Sequence, residues 1–261
     1  MLEFQNVTVQ YGAHPPVLHH LSLSLKKGDI LCLVGESGSG KSTVLNAALG
    51  LLPGKGRVTG GDILLDGRSV LSFDEKEWNQ IRGRRIASVP QDTGTTLDPI
   101  MTVGRQFTEY ICTHEKTDRK TAVALARKML AAVRLPDPEN IMDSYPYQLS
   151  GGMRQRVGIA MALVFHPEFL LADEPTSALD VTTQAQIVRQ IQELRENFEA
   201  GILMITHNLA LAAYISDNIY VLKDGKLADH GTREDILYHP RSSYTKMLLQ
   251  SVPSIGGVRY V

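Results

Sequence analysis

Hydrophobic and polar positions change rhythm twice along this chain. In the opening segment Leu2, Phe4, Val7 and Val9 stand among polar residues at nearly strand spacing, and Leu21, Leu23 and Leu25 alternate with Ser22 and Ser24, the pattern of a half-buried strand. Asp66-Gly67, directly after the apolar Ile63 to Leu65, marks a hairpin turn. From about Thr93 to Phe165 the spacing becomes helical. Asp118 is placed to cap a helix whose apolar positions Ala122, Leu125, Ala126, Met129, Leu130 and Val133 recur every three or four residues, and Pro136 ends it. After Pro167 the pattern reads strand, helix, strand. Phe169 to Ala172 is a short apolar run, Ile187, Val188, Ile191, Leu194 and Phe198 mark one helix face, Gly201 stops it, and Ile202 to Ile205 is apolar again. Apolar strands joined through a helix pair in parallel, so the pattern predicts an α/β core drawn from both ends of the chain with a mostly helical insert.

Composition narrows the classes of function. The 261 residues allow one large domain or two small ones. Lys plus Arg is 27 against 28 Asp plus Glu, a net charge of -1, without the basic excess that a bulk nucleic-acid ligand calls for. Cys32 and Cys112 are too few for a disulfide scaffold or a four-thiolate metal site. His14, His19, His20 and His230 lack companions at metal-ligand spacing. The start MLEFQNVTVQYG lacks a signal-peptide layout, and apolar stretches such as Ile30 to Val34 and Ile159 to Phe165 fall short of the roughly 18 residues a membrane span needs. The expectation is a soluble protein of a reducing compartment.

Residues 35 to 43 read GESGSGKST and fit the phosphate-loop pattern with Gly35, Gly40, Lys41 and Ser42. The apolar Ile30 to Val34 supplies the preceding strand and Val44 to Leu52 the following helix. Four fixed positions recur by chance in roughly one chain of this length in a hundred, and the strand and helix narrow that further. Glycines here let the backbone amides turn onto phosphate oxygens, and the helix start adds its positive dipole end. Lys41 would bridge the outer phosphates of a nucleoside triphosphate and the Ser42 hydroxyl would ligate Mg²⁺. The dinucleotide fingerprint fails, because Thr43 stands where its third glycine belongs.

The strand Phe169 to Ala172 runs straight into Asp173-Glu174. Two carboxylates at the end of a buried strand are useful where that end opens at a switch region. Asp173 would hold Mg²⁺ through water and Glu174 would orient and deprotonate the attacking water; the plain alternative is that both cap the turn at Pro175. His207, after Ile202 to Thr206, and Gln91, after the strand-like Ile86 to Pro90, are candidates for the same rim. Ser150 is a candidate N-cap of a helix through Phe165, with Gly151 and Gly152 exposing its first amides to a second anion. One phosphate loop already serves the chain's own triphosphate, so the economical arrangement is a two-fold dimer in which each Ser150 end covers the partner's nucleotide. The ordinary reading of that segment is a capped helix with Arg154 and Arg156 in water. Arg82, Arg84 and Arg85 read as a solvated basic face.

GESGSGKST, Gln91 in VPQD, LSGGMRQR, LLADEP, the Ser177 to Asp180 stretch SALD and His207 in ITHN occur in this order over nearly the whole chain. In this the chain resembles the ATP-binding subunits of ABC transporters. LSGGMRQRVGIAMAL, DEPTSALDVTTQAQI and the tail SYTKMLLQSVP look more narrowly like the importers of oligopeptides, dipeptides and nickel. The resemblance implies a P-loop NTPase core (RecA-like) with an N-terminal antiparallel β-subdomain and an inserted α-helical subdomain. Its segments are 1–92 and 166–232 for the core, 93–165 for the insert bearing the signature motif, and 233–261 for a C-terminal helix and tail. It implies that Tyr11 stacks on adenine and that Gly35, Ser37, Gly38, Ser39, Gly40, Lys41, Ser42 and Thr43 contact ATP. Ser150, Gly151, Gly152 and Asp180 likewise belong to the nucleotide site, Ser42, Gln91 and Asp173 serve Mg²⁺, and Glu174, His207 and Gln91 carry catalysis. Its partners would be transmembrane permease subunits, a second ATPase subunit (paralogue or self) and, indirectly, an extracytoplasmic solute-binding protein, with the chain peripheral on the cytoplasmic side of the membrane and no nucleic-acid ligand. No cysteine follows Cys112, unlike the iron–sulfur cluster of long oligopeptide-type relatives, and this points toward the shorter nickel- or metallophore-like type, with peptides and phosphonates also open. The competing class is a soluble ABC-type ATPase without a permease, of the iron–sulfur assembly or nucleic-acid repair kind.

Overall fold

A computed structural model of the protein describes residues 1–177, 181–251, 254–255 and 258–259. They form two units, Met1–Asp74 with Gly201–Val261, and Glu75–Ala200. The first unit opens with β1 (Leu2–Tyr11), β2 (Leu18–Leu25), β3 (Ile30–Val34), α1 (Lys41–Ala48), β4 (Gly56–Leu65) and β5 (Arg68–Ser69). Strands β2, β1, β4 and β5 make an antiparallel sheet in that order. The apolar spacing of β1 widens between Phe4 and Val7 because the strand bulges there: the pairing passes from Phe4↔Leu23 to Val7↔Leu21, with Asn6 at φ 52°. The extra residue restores the inward face, so Leu2, Phe4, Val7 and Val9 are all buried. The expected hairpin is present at Asp66 and Gly67, whose φ values of 50° and 78° suit the tight turn between β4 and β5.

The second unit comprises α2 (Glu75–Ile81), β6 (Ile86–Val89), α3 (Thr93–Thr96), α4 (Val103–His114), α5 (Arg119–Ala132), α6 (Pro138–Asp143), α7 (Gly151–Leu163), β7 (Phe169–Asp173) and α8 (Val181–Phe198). Asp118 caps α5 by accepting from the Lys120 and Thr121 amides, and Ala122, Ala126, Met129 and Leu130 form its buried face. On α8 Ile187, Val188 and Ile191 are buried, and the side chains of Leu194 and Phe198 lie outside the described residues. Strands β6 and β7 pair in parallel from Ile86↔Phe169 to Val89↔Ala172. Their entry is clamped by Arg85, whose guanidinium forks onto Glu168 at 2.5 and 3.1 Å. Arg82 lies over the Trp78 ring at 4.5 Å and Arg84 over Phe165 at 5.8 Å. Arg82 and Arg85 are half-buried and tied to these partners, whereas Arg84 is exposed, as a solvated face requires.

The chain then returns to the first unit with β8 (Gly201–Thr206), α9 (Leu209–Ile215), β9 (Asn218–Lys223), β10 (Lys226–Thr232), α10 (Arg233–Tyr238) and α11 (Ser243–Gln250), followed by the short antiparallel pair β11 (Ser254–Ile255) and β12 (Val258–Arg259). Strand β3 runs between β8 and β9, parallel to both, and β10 adds to β9 antiparallel. Every residue of β3 and β8 is buried, as the unbroken apolar runs require of strands covered on both faces. Among the described residues no helix is long and apolar enough to cross a membrane.

Candidate active site

Parallel register delivers the first set of candidate residues. Val34 and Thr206 are partners at the ends of β3 and β8, so Gly35 and His207 leave the sheet at the same edge. From Gly35 the chain wraps with Gly38 and Gly40 at φ 81° and 101°, conformations that a side chain would strain, and enters α1 at Lys41. The Lys41 side chain is buried and turned into the loop, where its Nζ donates to the carbonyls of Gly35 at 2.8 Å and Glu36 at 2.7 Å. Ser39 Oγ is buried without a hydrogen-bond partner, a costly state for a hydroxyl. Ser37 and Ser42 are exposed, and Thr43 half-buried. A buried ammonium, an unsatisfied hydroxyl and the first amides of α1 form a donor-rich cradle that suits phosphate oxygens, so the residues fit a nucleotide.

Tyr11 ends β1 opposite Gly56 of β4, and its hydroxyl lies 3.4 Å from that of Thr43. The half-buried ring thus stands beside the phosphate-loop helix in the same unit. His207 is exposed, while Asn208 beside it caps α9 by accepting from the Ala210 and Leu211 amides.

The second set is delivered by β6 and β7 in the same way. Val89 pairs with Ala172, so Pro90-Gln91 and Asp173-Glu174 emerge at one end of that parallel pair. Asp173 and Glu174 are half-buried, and Glu174 adopts φ 42°, a backbone region that a glutamate enters only under constraint. The constraint comes from Ser177, which donates both its amide (3.1 Å) and its hydroxyl (3.2 Å) to the Glu174 carbonyl. Gln91 is exposed and donates from Nε2 to the same Ser177 hydroxyl at 3.3 Å. A cavity of about 140 Å³ beside it is lined by Gln91, Asp92, Gly94, Gly151, Arg154, Gln155 and Pro175.

Ser150 caps α7 as expected, its Oγ accepting from the Met153 amide at 3.3 Å, and Ser150 and Gly151 are exposed. The arginines that follow are not simply in water. Arg154 donates to the Leu149 carbonyl at 2.6 Å, and Arg156 to the Arg134 carbonyl at 3.3 Å and to Gln186. Three residues without an expected role hold this region together: Ser177, Thr93 and Gln155. Thr93 Oγ1 donates to Gln155 Oε1 at 2.9 Å, both side chains being buried, and Gln155 Nε2 reaches the Pro90 carbonyl at 3.5 Å. The loop that carries Gln91 is thereby tied to the second turn of α7. A signal was present in Gly158, a glycine inside a helix at a cost of about 1 kcal/mol; a Cβ there would stand 2.5 Å from the Thr93 methyl. Asp180 lies outside the described residues.

A family model described as ABC transporter matches residues 18–177. The chain belongs to the ABC transporter family. It is 42% identical over 259 residues to a dipeptide transport ATP-binding protein of Bacillus subtilis (strain 168), spanning 98% of this chain and 77% of that one. It is likewise 42% identical over 260 residues to an oligopeptide transport ATP-binding protein of Haemophilus influenzae, spanning 98% of this chain and 80% of the relative. Among solved structures, the dimeric ATP-binding cassette MJ0796 in a post-hydrolysis state bound to ADP and Pi superposes with a TM-score of 0.78 at 29% identity, over 89% of this chain and 99% of that one. The fold is that of a P-loop NTPase cassette, and the protein is an ATP-binding ABC ATPase.

Proposed function

We propose that this ABC ATPase powers peptide uptake through a membrane permease, as one of two nucleotide-binding subunits on the cytoplasmic face of the membrane. The observation that carries the peptide assignment is the 42% identity over 98% of the chain to ATP-binding proteins of dipeptide and oligopeptide transport. Nickel and metallophores are the second solute class, on the resemblance of the tail SYTKMLLQSVP to such importers. The relatives named above are peptide-transport ATP-binding proteins and lend no support to the nucleic-acid repair or iron–sulfur assembly readings.

In this reading Gly35, Ser37, Gly38, Ser39, Gly40, Lys41, Ser42 and Thr43 hold the phosphates and Tyr11 stacks on the base, consistent with its position beside Thr43. Ser42, Gln91 and Asp173 are the residues that would hold Mg²⁺, a hard cation that takes hydroxyl, amide and carboxylate oxygens. When bound, the metal neutralises charge on the outer phosphates. Glu174 accepts the proton of the attacking water, and His207 donates toward the transferred phosphoryl group. Ser150, Gly151 and Gly152 of a second subunit, identical or paralogous, cover the opposite side of the nucleotide together with the Asp180 segment. The inserted helical segment near Gln91 and the following Thr93 to Val103 pass closure to the permease, and an extracytoplasmic binding protein delivers the solute.

Purification of the native complex tests the assignment. Integral permease subunits should co-purify, and ATPase activity of the reconstituted complex should rise with short peptides and the binding protein. Stimulation by nickel complexes and not by peptides refutes the peptide assignment, and a wholly soluble assembly without permease refutes the transport reading.

A further inference from the structure

The tail motif SYTKMLLQ has a structural consequence beyond family resemblance. Tyr244, in the first turn of α11, is only 4% exposed, and its hydroxyl accepts a hydrogen bond from the backbone N–H of Glu36 in the phosphate loop at 3.2 Å, across 208 residues of sequence. The ring is held by Lys223 of β9, whose Nζ stands 4.9 Å over it. The start of α11 is anchored in turn to β10. The largely buried Asp229 carboxylate accepts from the amides of Arg241 at 2.8 Å and Ser242 at 3.0 Å, and Ser242 caps the helix at the Tyr244 amide. A second backbone tie comes from the turn between β9 and β10, where the Gly225 N–H donates to the Ser39 carbonyl at 3.1 Å. The loop is therefore held at two points three residues apart, Glu36 N and Ser39 O, by elements from the far end of the chain.

We propose that Tyr244 is a positioning residue of the phosphate loop: α11 is a strut whose tyrosine hydroxyl fixes the Glu36 peptide and so pre-forms the loop for the phosphates of ATP. The proposal rests on the phosphate-loop reading above. Pre-forming matters because an unrestrained glycine-rich loop must lose its conformational freedom when it binds, and that loss is subtracted from affinity. Burial keeps the Tyr244 hydroxyl above the ordinary tyrosine range against the opposing Glu36 amide bond, helped by the Glu36 and Asp224 carboxylates, so it stays protonated at neutral pH.

Tyr244→Phe removes the hydroxyl and keeps the ring under Lys223. The dissociation constant for ATP, measured by calorimetry, should rise roughly threefold to tenfold, the worth of one hydrogen bond. The KM for ATP should rise with it and kcat should hold, and amide exchange across residues 35–41 should accelerate. Tyr238→Phe, on the exposed tyrosine of α10, should change none of these. A variant with lowered melting temperature but unchanged ATP affinity and unchanged loop exchange overturns the proposal and leaves Tyr244 as packing. So does rapid exchange of the Glu36 amide in the nucleotide-free wild-type protein, a measurement that needs no variant. Lys41→Ala separates this from the underlying reading. If Lys41→Ala abolishes ATP binding and Tyr244→Phe does not weaken it, the strut alone is wrong; if Lys41→Ala binds ATP normally, the phosphate-loop reading itself falls.

Discussion

The tie between Thr93 and Gln155 offers the sharpest test of how the Gln91 loop is held. Thr93 is 2% exposed and Gln155 5%, and the bond between them is 2.9 Å long. Thr93→Val is nearly isosteric, so packing against Gly158 is retained and the donor alone is lost. Gln155 Oε1 is then buried without that donor, which costs about 1–3 kcal/mol. Gln155→Leu orphans the Thr93 hydroxyl and also forfeits the 3.5 Å contact to the Pro90 carbonyl. The double variant Thr93→Val/Gln155→Leu removes both polar groups together, and such a swap is far less costly than the sum of the singles. Urea unfolding of the four proteins closes the cycle, with a coupling energy expected at about 0.5–3 kcal/mol. Melting temperature should fall by about 2–4 °C per kcal/mol lost in a chain of this size. Singles that add up to the double within about 0.5 kcal/mol would refute the tie, because independent sites behave that way.

Other expectations follow from the same geometry. Glu174→Gln should retain ATP binding and lose turnover by about 100- to 10,000-fold, the usual contribution of a general base; unchanged steady-state hydrolysis would remove Glu174 from that role. Tyr11→Ala should weaken ATP by about 1–3 kcal/mol, the worth of one base stack, and equal calorimetric affinities would leave Tyr11 as packing beside Thr43. Burial pushes the Cys32 thiol up to about 12, and Asp217 adds to that against a hydrogen bond from Ser216, whereas Cys112 is exposed. A thiol reagent should therefore titrate one cysteine in the native protein and both in denaturant, and two native equivalents would contradict the buried β3. Burial, then the Arg84 cation, hold His114 below its usual range. The unfolded chain thus takes up that proton first as pH falls below about 6.5, and the native state loses stability through the window down to the lowered folded value. The His114 ring packs against those of Tyr110 and Phe165 at 4.7 and 5.6 Å; His114→Gln should reduce the drop in urea midpoint between pH 8 and pH 5, and an unaltered drop would mean that these rings and Arg84 do not act on His114.

What was legible in the sequence was whatever is encoded locally. The phosphate loop, its strand and its helix lie within twenty residues of one another, and Asp173-Glu174 directly follow the run that buries them. Caps were legible for the same reason: Asp118 and Ser150 bond to amides two or three residues on. The bulge at Asn6 showed only as an irregular gap, because one extra residue shifts the alternation without breaking it. Arg82 over Trp78, four residues back, is a local pair, whereas the partners of Arg85 and Arg84, Glu168 and Phe165, lie about 80 residues on and are brought in by the fold. Ser177 under Gln91 and Tyr244 under Glu36 were out of reach for the same reason, being separated by 86 and 208 residues.

Two of the parallel pairs, β3 with β8 and β6 with β7, explain why so little of the chain has to be special. In a parallel ladder partners keep step, so residues that follow the strands leave from one end without further design. Pairing Val34 with Thr206 brings out Gly35 and His207 together, and pairing Val89 with Ala172 does the same for Gln91 and Asp173-Glu174. Buried apolar strands thus set the positions, and only the residues just past their ends need chemistry. Glu174 is where this arrangement costs something. Continuing straight from β7 would need no unusual backbone, yet the residue turns through φ 42°, a conformation disfavoured for non-glycine residues by about 1–3 kcal/mol. Two Ser177 hydrogen bonds to its carbonyl and the buried Pro175 hold the turn against that cost. In the proposed role of Glu174 as general base, this braced turn fixes the backbone from which its carboxylate would reach the attacking water, and Gln91, bonded to the same Ser177 hydroxyl, is held beside it.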